Sequence, residues 1–166
     1  PKTSAALFSY GILQESSGKI SFCHQRYLDY LIADRLLKRI DAGTGSFLQW
    51  LGSKDRQTLF RREQLRQALA MVAEESGPRF LSTAKQLLAS PEIRFHIKHL
   101  VLELIGSLVE ITEELGNYCS ALHEEDSWQE HILETVYSGH PPHVLYLFEK
   151  GIIGQWLESE NEAIIN

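Results

Sequence analysis

Seven histidines, an acidic cluster and a run of arginines are the parts of this sequence whose types and spacing could do chemistry. His96 and His99 stand three residues apart, the step at which two imidazoles on one helix share a metal ion. His140 and His143 flank two prolines, and His123 and His131 bracket acids. A metal ion needs further donors, and no other helix carries a matching carboxylate pattern. No metal site is expected, and these histidines read as surface or capping groups. "HEEDSWQE", residues 123–130, gathers four acids, which do acid-base work only when buried as a pair. At a helix junction they read instead as charges favourable to a helix N-terminus.

"RQTLFRREQLRQ", residues 56–67, places Arg56, Arg61, Arg62 and Arg66 where they could grip phosphates. Few aromatics interleave and the C-terminal half is acidic, so nucleic acid is not an expected partner. "GTGS", residues 43–46, is glycine-rich, but it follows a helix rather than a strand and lacks the lysine of a phosphate loop. No GxxxxGK[ST], GxSxG, HExxH or GxGxxG motif occurs, and no enzymatic activity is expected of this chain. One histidine stands apart. In "ISFCHQRYLDYLIADRLL", residues 20–37, a strand-like run becomes a helix-like run, and His24 sits at the joint. An imidazole there either touches a ligand or caps the helix.

Composition frames these residues. With 166 residues, 43% hydrophobic and 23% charged, the chain can bury one sizeable core. Residues 1–83 carry twelve Lys/Arg against eight Asp/Glu, and residues 84–166 carry four against fourteen. Such polarity suits one end docking on an anionic neighbour, and an ordinary solvated surface explains it as well. The most apolar stretch, residues 97–111, is interrupted by Lys98, His99, Glu103 and Glu110, so neither a membrane span nor a secretion signal is expected. Two cysteines, Cys23 and Cys119, make neither a disulfide framework nor a thiolate zinc site, which suits a cytoplasmic setting. The first residue is Pro1 and the end reads as a helix cut short, so an excised piece of a longer polypeptide is expected.

The elements that must position these residues are mainly α. Two apolar runs, residues 12–13 and 20–23, separated by the turn-forming "ESSGK", predict a β-hairpin. An amphipathic helix follows over residues 25–40 and stops at "DAGTG". Further helices are predicted at 46–51, at 60–75 with Leu65, Leu69 and Val72 inward, and through "RFLSTAKQLLAS" after the "SGP" break. Ser90 before Pro91 predicts a capped start for a helix over 91–109, whose wide apolar surface should be buried on two sides. Others are predicted from Thr112 to "EEDS", over 127–137 and 142–150, and through "GIIGQWLES". Links this short make neighbours antiparallel, and the expected architecture is a short N-terminal hairpin followed by a HEAT- or armadillo-like stack of helices.

The stretch "LFSYGILQESSGKISFCHQRYLDYLIADRLL", residues 7–37, resembles the winged-helix end of the nucleotide-hydrolysing module in STAND proteins, especially the NACHT branch of immune receptors and antiviral ATPases. The matching positions are Gly11, Ile12 and Leu13, then Phe22 and His24 of an F-x-H strand, then Tyr27, Asp29, Tyr30 and Ala33 of the following helix. The resemblance implies that residues 1–42 end a winged helix (the hairpin being its wing) and that 43–166 form the HEAT-like region after it. It implies that His24 reaches the β-phosphate of ADP held by an upstream nucleotide-binding domain of the same chain, locking the inactive state. ATP exchange would release it and let the protein oligomerise.

ATP or ADP with magnesium would then belong to the full-length protein and no cofactor to this chain alone, because the phosphate loop would lie before Pro1. The helices would bind a protein target, and His24 would be half a site. The alternative is a self-standing HEAT-like scaffold with no nucleotide link. The first reading requires a GxxxxGK[ST] segment upstream in the gene.

Overall fold

Ser17 and Gly18 both take positive φ, 53° and 72°, as the two-residue turn favoured by right-twisted strands requires. In the computed structural model, which describes residues 2–165 and the side chains of residues 5–158, this turn joins β1 (Leu13–Ser16) to β2 (Lys19–Phe22). The antiparallel pairing runs from Leu13 opposite Phe22 to Ser16 opposite Lys19. Only Leu13 and Phe22 are partly covered, at the base of the hairpin. A helix not foreseen in the sequence, α1 (Lys2–Ser9), precedes it. The rest is helical, and the chain forms two compact units, Pro1–Arg94 and Phe95–Asn166.

In the first unit α2 (Gln25–Asp41) packs on α4 (Leu59–Glu75), and α4 on α5 (Gly77–Ala89). Ala33, Leu36 and Leu37 of α2 meet a core that includes Leu65, Ala68, Leu69 and Val72 of α4 and Phe80, Leu81, Ala84 and Leu87 of α5. Between α2 and α4 lie the five-residue α3 (Phe47–Leu51) and a 3₁₀ turn, Lys54–Arg56. Helix starts are marked by side-chain oxygens that accept from otherwise unpaired backbone N–H groups: Ser46 from Gln49, Thr58 from Arg61 and Ser76 from Arg79. The Arg79 guanidinium also pairs with Asp41 at the end of α2. The expected division at residue 42 falls inside this unit, where α2 packs on α4 across it.

The helix expected from residue 91 starts only at Phe95. Ser90 ends α5 instead, and the Ile93 N–H donates back to the Ser90 carbonyl in a turn. The competing interaction is the fully buried amide of Gln57. Its Nε2 donates to the Gly52 carbonyl at 3.0 Å and the Glu92 carbonyl at 2.9 Å, while its Oε1 accepts from the Arg94 N–H at 2.8 Å. Backbone groups that a helix from Pro91 would have used internally are thus held by a side chain far away in sequence.

The second unit contains α6 (Phe95–Gly106), α7 (Glu113–Glu124), α8 (Gln129–Ile132), a π turn (Leu133–Tyr137), α9 (Pro141–Glu149) and α10 (Ile152–Ile165). As the apolar width of α6 implies, Ile97, Leu100, Val101, Leu102 and Ile105 are fully buried. The helix ends at Gly106 rather than residue 109. A Cβ at Gly106 would stand 2.5 Å from the Thr135 carbonyl oxygen of the π turn, so only glycine lets these backbones meet. Thr112 starts α7 as expected, accepting from the Leu115 N–H at 3.3 Å.

The Gln57 amide carries a direct test. Gln57→Leu fills the same space but orphans two carbonyls and one N–H, so unfolding in urea should show a loss of about 3 kcal/mol. A loss below about 0.5 kcal/mol would mean that these groups find other partners.

Candidate functional site

The β2 strand reaches the helix through Cys23 and His24. The Cys23 N–H donates to the Ile12 carbonyl at 3.0 Å, which anchors the joint to the base of the hairpin. His24 has extended backbone, φ −131° and ψ 136°, and occupies the N-cap position of α2. Its side chain nevertheless makes no capping hydrogen bond. The exposed imidazole instead lies 5.9 Å from the Tyr27 ring, tilted by 57°. One turn on, the buried Asp29 carboxylate accepts from Gln25 Nε2 at 3.1 Å and fastens the first turns of α2 together.

Because Ala33, Leu36 and Leu37 turn α2 toward α4, its other side faces outward. Tyr27, Tyr30 and Leu31 are 39%, 51% and 48% exposed, at the spacing of one broad helical face that His24 begins. An imidazole so placed can donate a hydrogen bond to an oxyanion brought against this face. The residues that carry the resemblance therefore divide. His24, Tyr27 and Tyr30 are displayed, Asp29 and Ala33 are built into the unit, and Phe22 is partly covered at the hairpin base.

The other histidines are scattered in role. His99 Nδ1 lies 3.2 Å from Glu103 on the same helix, and Phe95 packs against His131 with ring centres 4.7 Å apart. His143 and His123 are not the surface groups that the sequence suggested; both are buried. His143 Nε2 donates to the Ile105 carbonyl at 2.9 Å, so the ring closes the end of α6. His123 stacks on Trp156 at 4.3 Å. Burial lowers the pKa of both rings, outweighing the Ile105 hydrogen bond at His143 and the Glu124 charge at His123. Beside them, burial pushes the Cys119 thiol up to about 12 and raises the Tyr137 phenol, whose hydroxyl faces Ser120 without a well-formed hydrogen bond.

Among the described residues, no group of three or more His, Cys, Asp or Glu is gathered to hold a metal ion. The acids of the 123–130 cluster, Glu124, Glu125, Asp126 and Glu130, are all exposed. In the arginine run, Arg62 and Arg66 pair with Glu63 at 2.8 and 3.3 Å, while Arg61 donates to the Trp50 and Leu51 carbonyls at the end of α3. No helix among the described residues is long and apolar enough to cross a membrane. Comparison with protein-family models, curated proteins and solved structures gave no match.

The buried histidines set a pH dependence. The unfolded chain takes up protons at these rings below about pH 6.5 while the folded chain resists, so stability falls with acid between the unfolded and folded pKa values. Urea midpoints should drop from about pH 7.5 to about pH 5.5. His143→Gln, which can keep a donor near Ile105 and cannot titrate, should shrink that drop. An undiminished drop would assign the dependence elsewhere.

Proposed function

We propose that this chain is the regulatory part of a STAND-type, NACHT-like ATPase: the end of a winged helix that senses nucleotide state, joined to helices that recognise a protein target. The observation that carries the reading is His24. It occupies the N-cap position without capping, so the structural role open to it in the sequence is unused, and its imidazole is exposed beside an uncovered aromatic face. That face, Tyr27, Tyr30 and Leu31, suits docking of the upstream nucleotide-binding domain, with His24 brought to the β-phosphate of ADP.

A contact made in one arrangement of domains and lost in the other biases a two-state switch by its own free energy. ATP/ADP and magnesium would be held by the upstream domain, and this chain would contribute the sensing group alone. Release would free the same face and permit oligomerisation.

The helices beyond α2 are read as a HEAT-like region. Support comes from the packing of sequence neighbours α4 with α5, α7 with α8 and α9 with α10, each within its own unit. An exposed apolar set in the second unit, with Leu145 59% and Phe148 70% exposed on α9, suits a protein target. That set would serve equally well in a self-standing helical scaffold, the alternative reading.

The test uses the full-length protein. His24→Ala should lower the ADP retained through purification and raise the oligomeric fraction without ligand, both read by chromatography with light scattering. His24→Gln, which keeps an N–H donor, should retain more ADP than the alanine variant. Wild-type ADP content in both variants would remove the sensing role.

A further inference from the structure

Two features that the sequence presents apart, the "GTGS" loop and the arginine run, come together in the first unit. A half-open pocket of about 230 Å³ lies between the end of α2, the loop before α3, and the start of α4. Arg39, Arg56 and Arg61 line it, with Ser46, Gln49 and Trp50. No carboxylate is among its lining residues.

The nearby acids are engaged elsewhere. Residues 35–66 contain eight Lys/Arg and three Asp/Glu. Asp41 pairs with Arg79, and Glu63 with Arg62 and Arg66. Asp55, whose pKa is lowered first by a hydrogen bond from Ser53 and only lastly by the charge of Arg56, is oriented by that serine. Among the described residues, no carboxylate forms an ion pair with Arg39 or Arg56.

Arg61 is held in place. Its Nη1 donates to the Trp50 carbonyl at 2.7 Å and the Leu51 carbonyl at 3.0 Å, and its guanidinium sits 5.3 Å from the centre of the Trp50 ring. Nε and Nη2 remain for a ligand. Ser46 Oγ accepts from the Gln49 N–H, which leaves its own proton to donate. Three guanidinium groups without carboxylate partners among the described residues, beside a serine hydroxyl with a proton to donate, match a multiply charged tetrahedral anion better than the two oxygens of a carboxylate.

We infer that this pocket binds the phosphoryl group of a small phosphorylated molecule, in contact with Arg39, Arg56, Arg61 and Ser46. The volume is smaller than the roughly 300–1,000 Å³ of sites that enclose whole drug-sized ligands. It suits a phosphate or pyrophosphate group, with any larger body resting outside against Trp50. This inference does not depend on the role of His24.

Calorimetry on the 166-residue chain at low ionic strength tests it, with inorganic phosphate, pyrophosphate, glycerol phosphate and acetate as probes. Saturable binding of one equivalent of a phosphate probe is expected, at least about tenfold tighter than acetate. Glycerol phosphate binding more tightly than inorganic phosphate would support a ligand with an organic body; the reverse would support free phosphate or pyrophosphate. Arg39→Gln and Arg56→Gln, exposed residues without ion pairs, should each weaken binding about tenfold. Lys54→Gln removes the same charge from the 3₁₀ turn outside the pocket lining and should change it less than about twofold. Failure of every phosphate probe to saturate, or an equal loss from Lys54→Gln, would overturn the site.

Discussion

Short helices have many ends, and every end leaves backbone donors or acceptors that must be satisfied. That constraint governs this protein more than any single apolar contact. Ser76 serves two helices at once: its N–H donates to Val72 at the close of α4, and its hydroxyl accepts from Arg79 at the opening of α5. Arg61 takes the last carbonyls of α3, and His143 takes a carbonyl near the end of α6. The Gln57 amide performs the same service for three backbone groups, two of them distant in sequence. Hydrophobic periodicity decides which faces turn inward, while these polar side chains decide where each helix stops.

This division of labour explains what was legible in the sequence. The hairpin, the register of α2 and the starts of α4 and α7 follow local rules, since turn residues, apolar spacing and capping threonines act over a few positions. The Ser90-Pro91 pair obeys the same local rule and still does not start α6. It is overridden by Gln57, whose bonds span 35 and 37 residues and leave no periodic trace. Histidine is ambiguous for a similar reason. Its ring is polar enough to read as a surface group, yet His143 is buried because a carbonyl happens to receive it. At the candidate site, the position of His24 at the strand-to-helix joint was legible. That its side chain leaves the cap unused depends on its orientation and could be seen only in three dimensions.

The uneven charge of the chain also acquires a local meaning. Positive charge in the first unit is partly tied up in ion pairs, as at Arg79, Arg62 and Arg66, and partly displayed, as at Arg39 and Arg56. In the second unit Glu124, Glu125, Asp126, Glu130 and Glu134 lie exposed around α8. Net charge by halves cannot distinguish a solvated carboxylate from a paired one. The partners of each group decide whether a charge is spent inside the protein or offered outside it.

The two thiols occupy opposite chemical situations, one in each unit. Cys119 is fully buried with its pKa pushed up to about 12, so the thiolate that attacks alkylating reagents is scarce and shielded while the second unit is closed. Cys23 is partly exposed at the hairpin joint, one residue before His24. A slow alkylating reagent therefore modifies Cys119 at the rate set by opening of its own unit, while Cys23 responds to whatever covers or uncovers the joint. The chain thus carries two thiols that report different events, the opening of the second unit at Cys119 and the covering of the hairpin joint at Cys23.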